Sequence, residues 1–455
     1  MHQISVKDFP SLDFGDQRRN ARFVSIINNI TRQPGSSIPK QNEDWYDTKA
    51  TYSFFKNEDV SLSSLREAIT GWGLQQVAGE ERLLIVHDTS QISYDDLKAD
   101  DLGYLAHKEG RGIMCYSSIA ITEEGIPLSL LYQHNWTRPL DELGKKKDRK
   151  AKSFEDKESY HWYKGITEVN KQLGHTVAKL HIADREADIY DLFFCGYEEN
   201  TDLLIRASHN RRLNDGSALW DQVAEMEAVA IVELQLPDAT GKKRLPVKVE
   251  VRYRQVEILR PRDKQHQYES VEMTAISVKQ VDDKESVDSI HWRLLTTVEA
   301  TTTAQALQCV KWYTYRWLIE RFHYVLKSGT RIEELQLKQA SSLQKAIHVY
   351  SIAAMRIMQL VYQSRETPDL SCEVVLTKEQ WIVLYLLTHK NLTALPAIPP
   401  TLGEAVLWIG KLGGHLGRKS DGPPGLKTVW LGYQRICDAA GIYEQLFNIM
   451  NLGKG

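Results

Sequence analysis

The spacing of apolar and polar positions changes period as the chain proceeds, and each change predicts a different element. Near the start, Phe23, Ile26, Ile27 and Ile30 recur at i, i+3, i+4 and i+7, the core face of a helix. Asp16 is in position to cap that helix and Gln33-Pro34-Gly35 to stop it. Further helices are expected near Asp44–Phe55 and over Leu62–Gln76. The pattern then turns to strands. Arg82–Asp88 is an apolar run ending in an acid, and Gly112–Thr122 and Ile126–His134 follow, joined by a Glu-Gly turn. A helix from about Ser159 to Leu173 leads into Ala178–Asp184, a second strand ending in an acid, and Asp202–Ala207 is a strand that delivers Arg206. From Leu213 to about Ser289 the runs alternate with period two, which predicts a β-rich insertion; Ile290–Thr297, carrying Trp292, closes it. A long helix starts near Thr303. Ala346–Gln363 is apolar but interrupted by His348 and Arg356, so it reads as a buried helix rather than a membrane span. Beyond Thr367-Pro368 come helical segments at Lys378–Leu387 and Leu402–Leu412, a Gly/Pro-rich turn and a last helix to about Asn451.

Composition narrows the class. With 42% hydrophobic and 26% charged residues, the 455-residue chain can bury a large core divided among about three domains. Its five cysteines are scattered and form no C-x-x-C, which excludes a zinc finger and a disulfide scaffold and fits a reducing, cytoplasmic setting. The opening residues MHQISVKDFP lack the apolar run of a signal peptide. A net charge of −3 means that any surface for a polyanion is local.

Basic charge is local in two places. Between Gln17 and Lys40 stand Arg18, Arg19, Arg22, Arg32 and Lys40 with no acid, and the first three project from the opening turns of the first helix. They are either solvated side chains of a helical module or contacts to DNA. Lys145–Lys152 holds six cations and one acid, which makes a solvated loop or, beside a catalytic site, a tether for phosphate.

The densest pattern is YTYRWLIERFHYVLK, Tyr313 to Lys327. Tyr313, Arg316, Glu320, His323 and Lys327 are spaced 3, 4, 3 and 4 apart, one stripe of a helix. Read alone, the stripe is a solvated face with ion pairs such as Arg316–Glu320. Read with Asp88 and Asp184 at two strand ends, it adds a long-reaching acid flanked by cations and an aromatic. Three carboxylates of this kind can hold two divalent ions about 3.5–4 Å apart for phosphoryl transfer, and Mg²⁺ prefers such oxygen ligands.

The residues make this specific. Y-x-x-R-x-x-x-E-x-x-x-x-x-x-K, here Tyr313, Arg316, Glu320 and Lys327, closely resembles the signature of the IS-four family of bacterial DDE transposases. HDTS around Asp88 and DREADIYD around Asp184 resemble that family's two Asp motifs; GDQRRNARF and LGGHLGRKSDGPPG resemble its N-terminal and C-terminal regions. His87 stands before the first Asp in place of an acid, and Ala207-Ser208 replaces a serine and a lysine after Arg206.

The resemblance implies an α/β fold with an RNase H-like, retroviral-integrase-like catalytic core, a β-rich insertion at about 213–289 and helical N- and C-terminal domains. The expected division is 1–70 for DNA binding, 71–372 for catalysis and 373–455 for dimerisation. Asp88, Asp184 and Glu320 would be the catalytic residues and bind two Mg²⁺, with Mn²⁺ as a substitute. Tyr313, Arg316, Lys327, Arg206 and His323 would meet DNA near the transposon end, joined by Arg18, Arg19 and Arg22. Trp292 would stack on a flipped base as a hairpin forms, its other reading being a core tryptophan. The implied activity is cut-and-paste transposition by a homodimer on double-stranded transposon ends and target DNA, in the bacterial cytoplasm and away from membranes. A related nuclease without joining activity and a non-catalytic DNA-binding relative are the alternatives. A two-carboxylate glycosidase fits the basic, aromatic surroundings less well.

Overall fold

The structure, a computed structural model, describes all residues except 98, 100, 107–109, 144–151, 238–243, 263–265, 282–288, 390–394, 419–420 and 453–455. Four helices open the chain: α1 (Gln17–Arg32), the short α2 (Ile38–Gln41), α3 (Trp45–Lys56) and α4 (Leu62–Gln76). Their starts follow the expected chemistry. Asp16 caps α1 by accepting from the Arg18 amide, Asp44 caps α3 through the Asp47 amide, and Ser61 caps α4 through the Ser64 amide. The face of α1 made by Phe23, Ile26, Ile27 and Ile30 is buried, and Phe23 packs edge-on against Phe9 and Phe14.

The strands follow as β1 (Arg82–Ser93), β2 (Gly103–Tyr104), β3 (Arg111–Ile121) and β4 (Pro127–Trp136), then α5 (Tyr160–Leu173), β5 (Ala178–Ala183), α6 (Tyr190–Phe193) and β6 (Thr201–Arg206). Strand order is β4-β3-β1-β5-β6, with the first three antiparallel and β1, β5 and β6 parallel. The insertion is α7 (Leu219–Ala224), β7 (Ala230–Pro237), β8 (Arg244–Leu259) and β9 (Ser270–Gln280), and β10 (His291–Thr296) returns beside β6. It is not a separate layer: β10, β9, β8 and β7 extend the same sheet beyond β6, so ten strands form one surface.

Both faces of the part of this sheet made by β1, β5, β6 and β10 are covered. Leu84, Val86, Leu180, Ile182, Leu204 and Leu294 face one core, and Leu83, Ile85, Leu203, Ile205 and Leu295 face the other, as the two-residue period requires. On the first side lie α8 (Thr303–Thr314), α9 (Trp317–Tyr324) and α10 (Ala340–Glu366); α5 and α6 cover the second. The long α10 is buried along nearly its whole length against α1, α4 and β4. It is the apolar stretch expected to be a buried helix, and no helix among the described residues is long and apolar enough to cross a membrane. Last come α11 (Lys378–Thr388), α12 (Leu402–Leu412) and α13 (Leu426–Leu452). The N-terminal helices dock on α13, where Gln434 donates to Gln33 Oε1 (2.8 Å) and to Ser36 Oγ (3.0 Å).

Two expectations need correction. The first strand does not end at Asp88. Pairing with β3 continues to Ser93 opposite Gly112, so Asp88 is interior to β1 and its backbone is held on the β3 side by Ser117. The helix of the Tyr313–Lys327 stripe is also not continuous: α8 stops at Thr314, amides of Tyr315 and Arg316 tighten onto Trp312 and Tyr313 carbonyls three residues back, and α9 begins at Trp317. Its end widens into a π turn, Val325–Gly329, which carries Lys327.

Candidate active site

Register brings the acids together. Parallel strands β1 and β5 pair Val86 with Ile182, and two residues further on in each chain stand Asp88 and Asp184. They stand just beyond the last pair, close enough that the Asp184 charge acts on the Asp88 carboxyl. The pairing of parallel β5 and β6 ends at Ala183 with Ile205, and Asp184 and Arg206 follow, close enough for the Asp184 charge to act on Arg206. Asp88, Asp184 and Arg206 thus form one row across three strands. Antiparallel β10 continues it with Leu294 opposite Arg206, and Trp292 lies two residues beyond on the same face.

The turn after β5 is made by the acid itself. Asp184 leaves the strand extended and its Oδ1 accepts from the Glu186 amide (2.9 Å), starting a 3₁₀ turn at Arg185–Ala187. Asp88 Oδ1 accepts from the Thr89 amide (2.8 Å). Burial pushes the Asp88 carboxyl up to about 7, with the neighbouring Asp184 charge as the next cause. The buried His323 faces it, Nδ1 3.8 Å from Asp88 Oδ2.

Helices α8 and α9 close the row from above. Glu320 projects from α9 and is ion-paired with Arg316 one turn earlier. Tyr313 is buried, its hydroxyl has no hydrogen-bond partner among the described residues, and burial pushes it up to about 12. Its ring meets Trp292 edge-on, centroids 5.1 Å apart. Trp292 is half-buried, which satisfies neither a fully enclosed core residue nor a free ring. The Arg206 guanidinium donates to the His291 carbonyl (3.3 Å), and its charge acts on Tyr313. Lys327 is half-buried near Cys115 and His323.

Not every expected residue joins this group. His323 is 6% exposed at its side chain, so it turns inward to Asp88 instead of outward with the rest of the stripe. Arg18, Arg19 and Arg22 lie on the N-terminal helices, where each pairs with an acid: Asp16 at 2.9 Å, Asp59, and Asp47 at 2.8 Å. Arg18 nevertheless keeps 91% of its side chain exposed. Of the lysine-rich stretch Lys145–Lys152, residues 144–151 lie outside the described residues; Lys152 pairs with Glu142. Ser208, at the expected lysine position, donates to the buried Asp188.

The sequence reading passed over Trp45 and Tyr46. Both begin α3 and are more than two-thirds exposed, and the Lys49 ammonium lies 5.2 Å over the Trp45 ring. Their signal was available: neither shares the helix face of Thr51, Phe54 and Phe55, which is buried.

A divalent ion suits the residues of the row. The donors are carboxylate oxygens, and two of them are forced side by side, where a cation would relieve the repulsion that Asp88 feels from Asp184. Glu320 faces Arg316 instead, and among the described residues no three acidic, His or Cys side chains converge as a finished cage.

Three family models match the chain in order: transposase DNA-binding over residues 1–60, transposase DDE domain over 161–356, and transposase Tn5 dimerisation domain over 352–443. A solved cryo-EM structure, the piggyBac transposase synaptic complex with hairpin DNA, is similar over 77% of this chain and 67% of that one, at 8% identity and a TM-score of 0.38. The α/β sheet with its acid row and helical ends is an RNase H-like catalytic core, and the chain is a DDE transposase, a metal-dependent enzyme that cleaves DNA and transfers strands. Within that class it belongs with the Tn5-like transposases, whose three domains it carries in order.

Proposed function

We propose that this transposase excises its element by cut-and-paste chemistry through a hairpin intermediate and joins the ends to target DNA. The observation that carries the reading is the row Asp88–Asp184–Arg206 beneath Glu320 and Arg316: adjacent acids beside cations suit a phosphodiester. Asp88, Asp184 and Glu320 would hold two Mg²⁺, Glu320 by leaving Arg316. When bound, such ions activate the attacking oxygen and stabilise the leaving one. Released from Glu320, Arg316 is free for phosphate, together with Arg206 and Lys327. Tyr313 and Trp292, in edge contact, form an aromatic wall on which an extruded base can stack.

The remaining roles divide along the chain in the same order as the three family matches, with bounds of their own. Residues of about 1–70 bind the transposon end, with Arg18, Trp45 and Tyr46 as the exposed contacts. About 71–372 carry the chemistry. About 373–455 join two copies, a reading supported by exposed Ile442, Leu446 and Ile449, an i, i+4, i+7 stripe on α13. The setting is the bacterial cytoplasm, on nucleoid DNA. The test is a duplex carrying one of the inverted repeats that flank the coding region, incubated with the full chain and Mg²⁺. Nicked, hairpin and joined products in that order support the proposal. Nicking without hairpin or joining activity would leave a plain nuclease.

A further inference from the structure

On the sheet face opposite the acid row, a chain of buried hydrogen bonds runs directly beneath it. Asn170 Nδ2 on α5 donates to Glu198 Oε2 (2.7 Å). Asn170 Oδ1 lies 2.7 Å from His181 Nε2, His181 Nδ1 lies 2.8 Å from His87 Nε2, and His87 Nδ1 lies 2.8 Å from the Tyr116 hydroxyl and 2.9 Å from Ser118 Oγ. His87, His181, Tyr116 and Ser118 are all 0% exposed. The chain crosses β3, β1 and β5, and its members flank the site: His87 precedes Asp88, and Tyr116 and Ser118 flank Ser117, the partner of Asp88 across β3.

Donor and acceptor capacity leaves one consistent proton arrangement. The Glu198 carboxylate can only accept, so the Asn170 amide must turn its nitrogen to Glu198 and its oxygen to His181. That oxygen can only accept, so His181 carries its proton on Nε2 and offers a bare Nδ1. His87 must then carry its proton on Nε2 and accept at Nδ1 from Tyr116 or Ser118. A buried imidazole pair without an acid beside it stays neutral. The polarity of the chain is thus set at the surface and transmitted inward. The α5 helix lies close enough to fit only because of Gly165, where a Cβ would come within 2.2 Å of the Tyr116 ring.

We propose that His87 and His181 are positioning residues that lock β1 to β5 in register, so that Asp88 and Asp184 stay side by side for the metal, and that Glu198 sets the tautomers of both. This rests on the metal-site reading above. Among the described residues the His87–His181 bond is the side-chain hydrogen bond that joins the two strands, and a shift of either strand would part the carboxylates. Groups bonded directly to a metal ligand are worth roughly 10–100-fold in metal affinity; His87 and His181 act one step further out, through the strands, so the low end of that range is expected.

The test uses the full-length chain free of DNA. Histidine ¹⁵N NMR of the wild type is expected to report His87 and His181 as neutral Nε2–H tautomers; a charged ring or an Nδ1–H tautomer at either position overturns the proposal. Glu198→Ala, a surface change, is expected to leave a mixture of tautomers, and an unaltered spectrum removes Glu198 from the role. Mn²⁺ affinity, read by electron paramagnetic resonance, should fall roughly tenfold in His181→Leu and return in His181→Gln, which can donate and accept; no change in His181→Leu refutes the positioning role. If His181→Leu does not fold, the two NMR arms still decide. Failure of the wild type to bind Mn²⁺ would instead count against the metal site itself, which the NMR arms do not require.

Discussion

Asp88 and Asp184 each follow by two residues the last pair of neighbouring parallel strands, Val86 and Ile182, and the Asp184 charge acts on the Asp88 carboxyl. Nothing local to either residue produces this; it is the register of β1 against β5 that does. The consequence is visible in Asp88, whose carboxyl burial and the Asp184 charge hold at about 7. Strand alternation fixes the same face for both, and Arg206 extends the row by the same rule on β6.

The exposed contacts of the N-terminal module can be separated by salt. Arg18→Ala should lower the log–log dependence of end binding on salt by about 0.9, the value of one phosphate contact. Arg22→Ala should lower it less, since both arginines are paired with an acid but Arg22 is mostly covered whereas Arg18 is 91% exposed. Filter-binding or anisotropy titrations over a range of salt read both slopes. A steeper loss in Arg22→Ala than in Arg18→Ala would reverse the assignment.

Trp292→Ala should slow hairpin formation more than first-strand nicking, because stacking of one base is worth roughly 1–3 kcal/mol and only the hairpin step needs the base held out. Nicked DNA should accumulate on a sequencing gel. The edge contact with Tyr313 is also lost; if both steps slow equally with a lower melting temperature, Trp292 serves packing alone.

Acid should destabilise the fold through its buried histidines. Burial lowers His348 from 6.5 to about 4 and His134 from 6.5 to about 3. Between each pair of values the unfolded chain binds a proton that the folded chain does not, so stability falls as pH falls, by up to about 1.4 kcal/mol per unit for each histidine. Asp88 works in the opposite sense, because its raised value lets the folded state take up a proton first between 3.8 and about 7. Urea unfolding at about pH 7 and about pH 5 should therefore show a loss that grows in Asp88→Asn. A gain in stability on acidification would contradict the burial of these rings.

Gly165→Ala sets two effects against each other. Alanine favours the helix by about 1 kcal/mol, but its Cβ would meet the buried Tyr116 ring at 2.2 Å. Overpacking costs about 1–3 kcal/mol, and Tyr116 is enclosed on every side, so a net loss is expected in chemical unfolding. Net stabilisation would mean that the ring has room to move.

Much of the scaffold was legible because local chemistry declares itself. Asp16 and Asp44 mark helix starts, Phe23 to Ile30 mark a core face, and the apolar runs before Asp88 and Asp184 mark strands that share a sheet. What the residues alone did not reveal depends on distant pairing. Nothing near Asp88 says that β3 continues beside it to Ser93. Arg19 finds Asp59 forty residues away, outside the acid-free stretch in which it was counted. His323 keeps the period of the exposed stripe yet is buried, because α9 lies on β1 at that point. His87 stood out only as a missing acid; its partner His181 lies 94 residues on and shares no motif with it.

The most direct test of the whole account is cleavage of a labelled transposon-end duplex by Asp88→Asn, Asp184→Asn and Glu320→Gln, with Mg²⁺ present and end binding measured on the same oligonucleotide. The account predicts that each variant binds the end as the wild type does and cuts none of it. Near-normal cleavage by any one of the three would remove that residue from the site, and cleavage by Asp88→Asn or Asp184→Asn would contradict the central claim that these two neighbouring acids, one on β1 and one just after β5, build the catalytic centre.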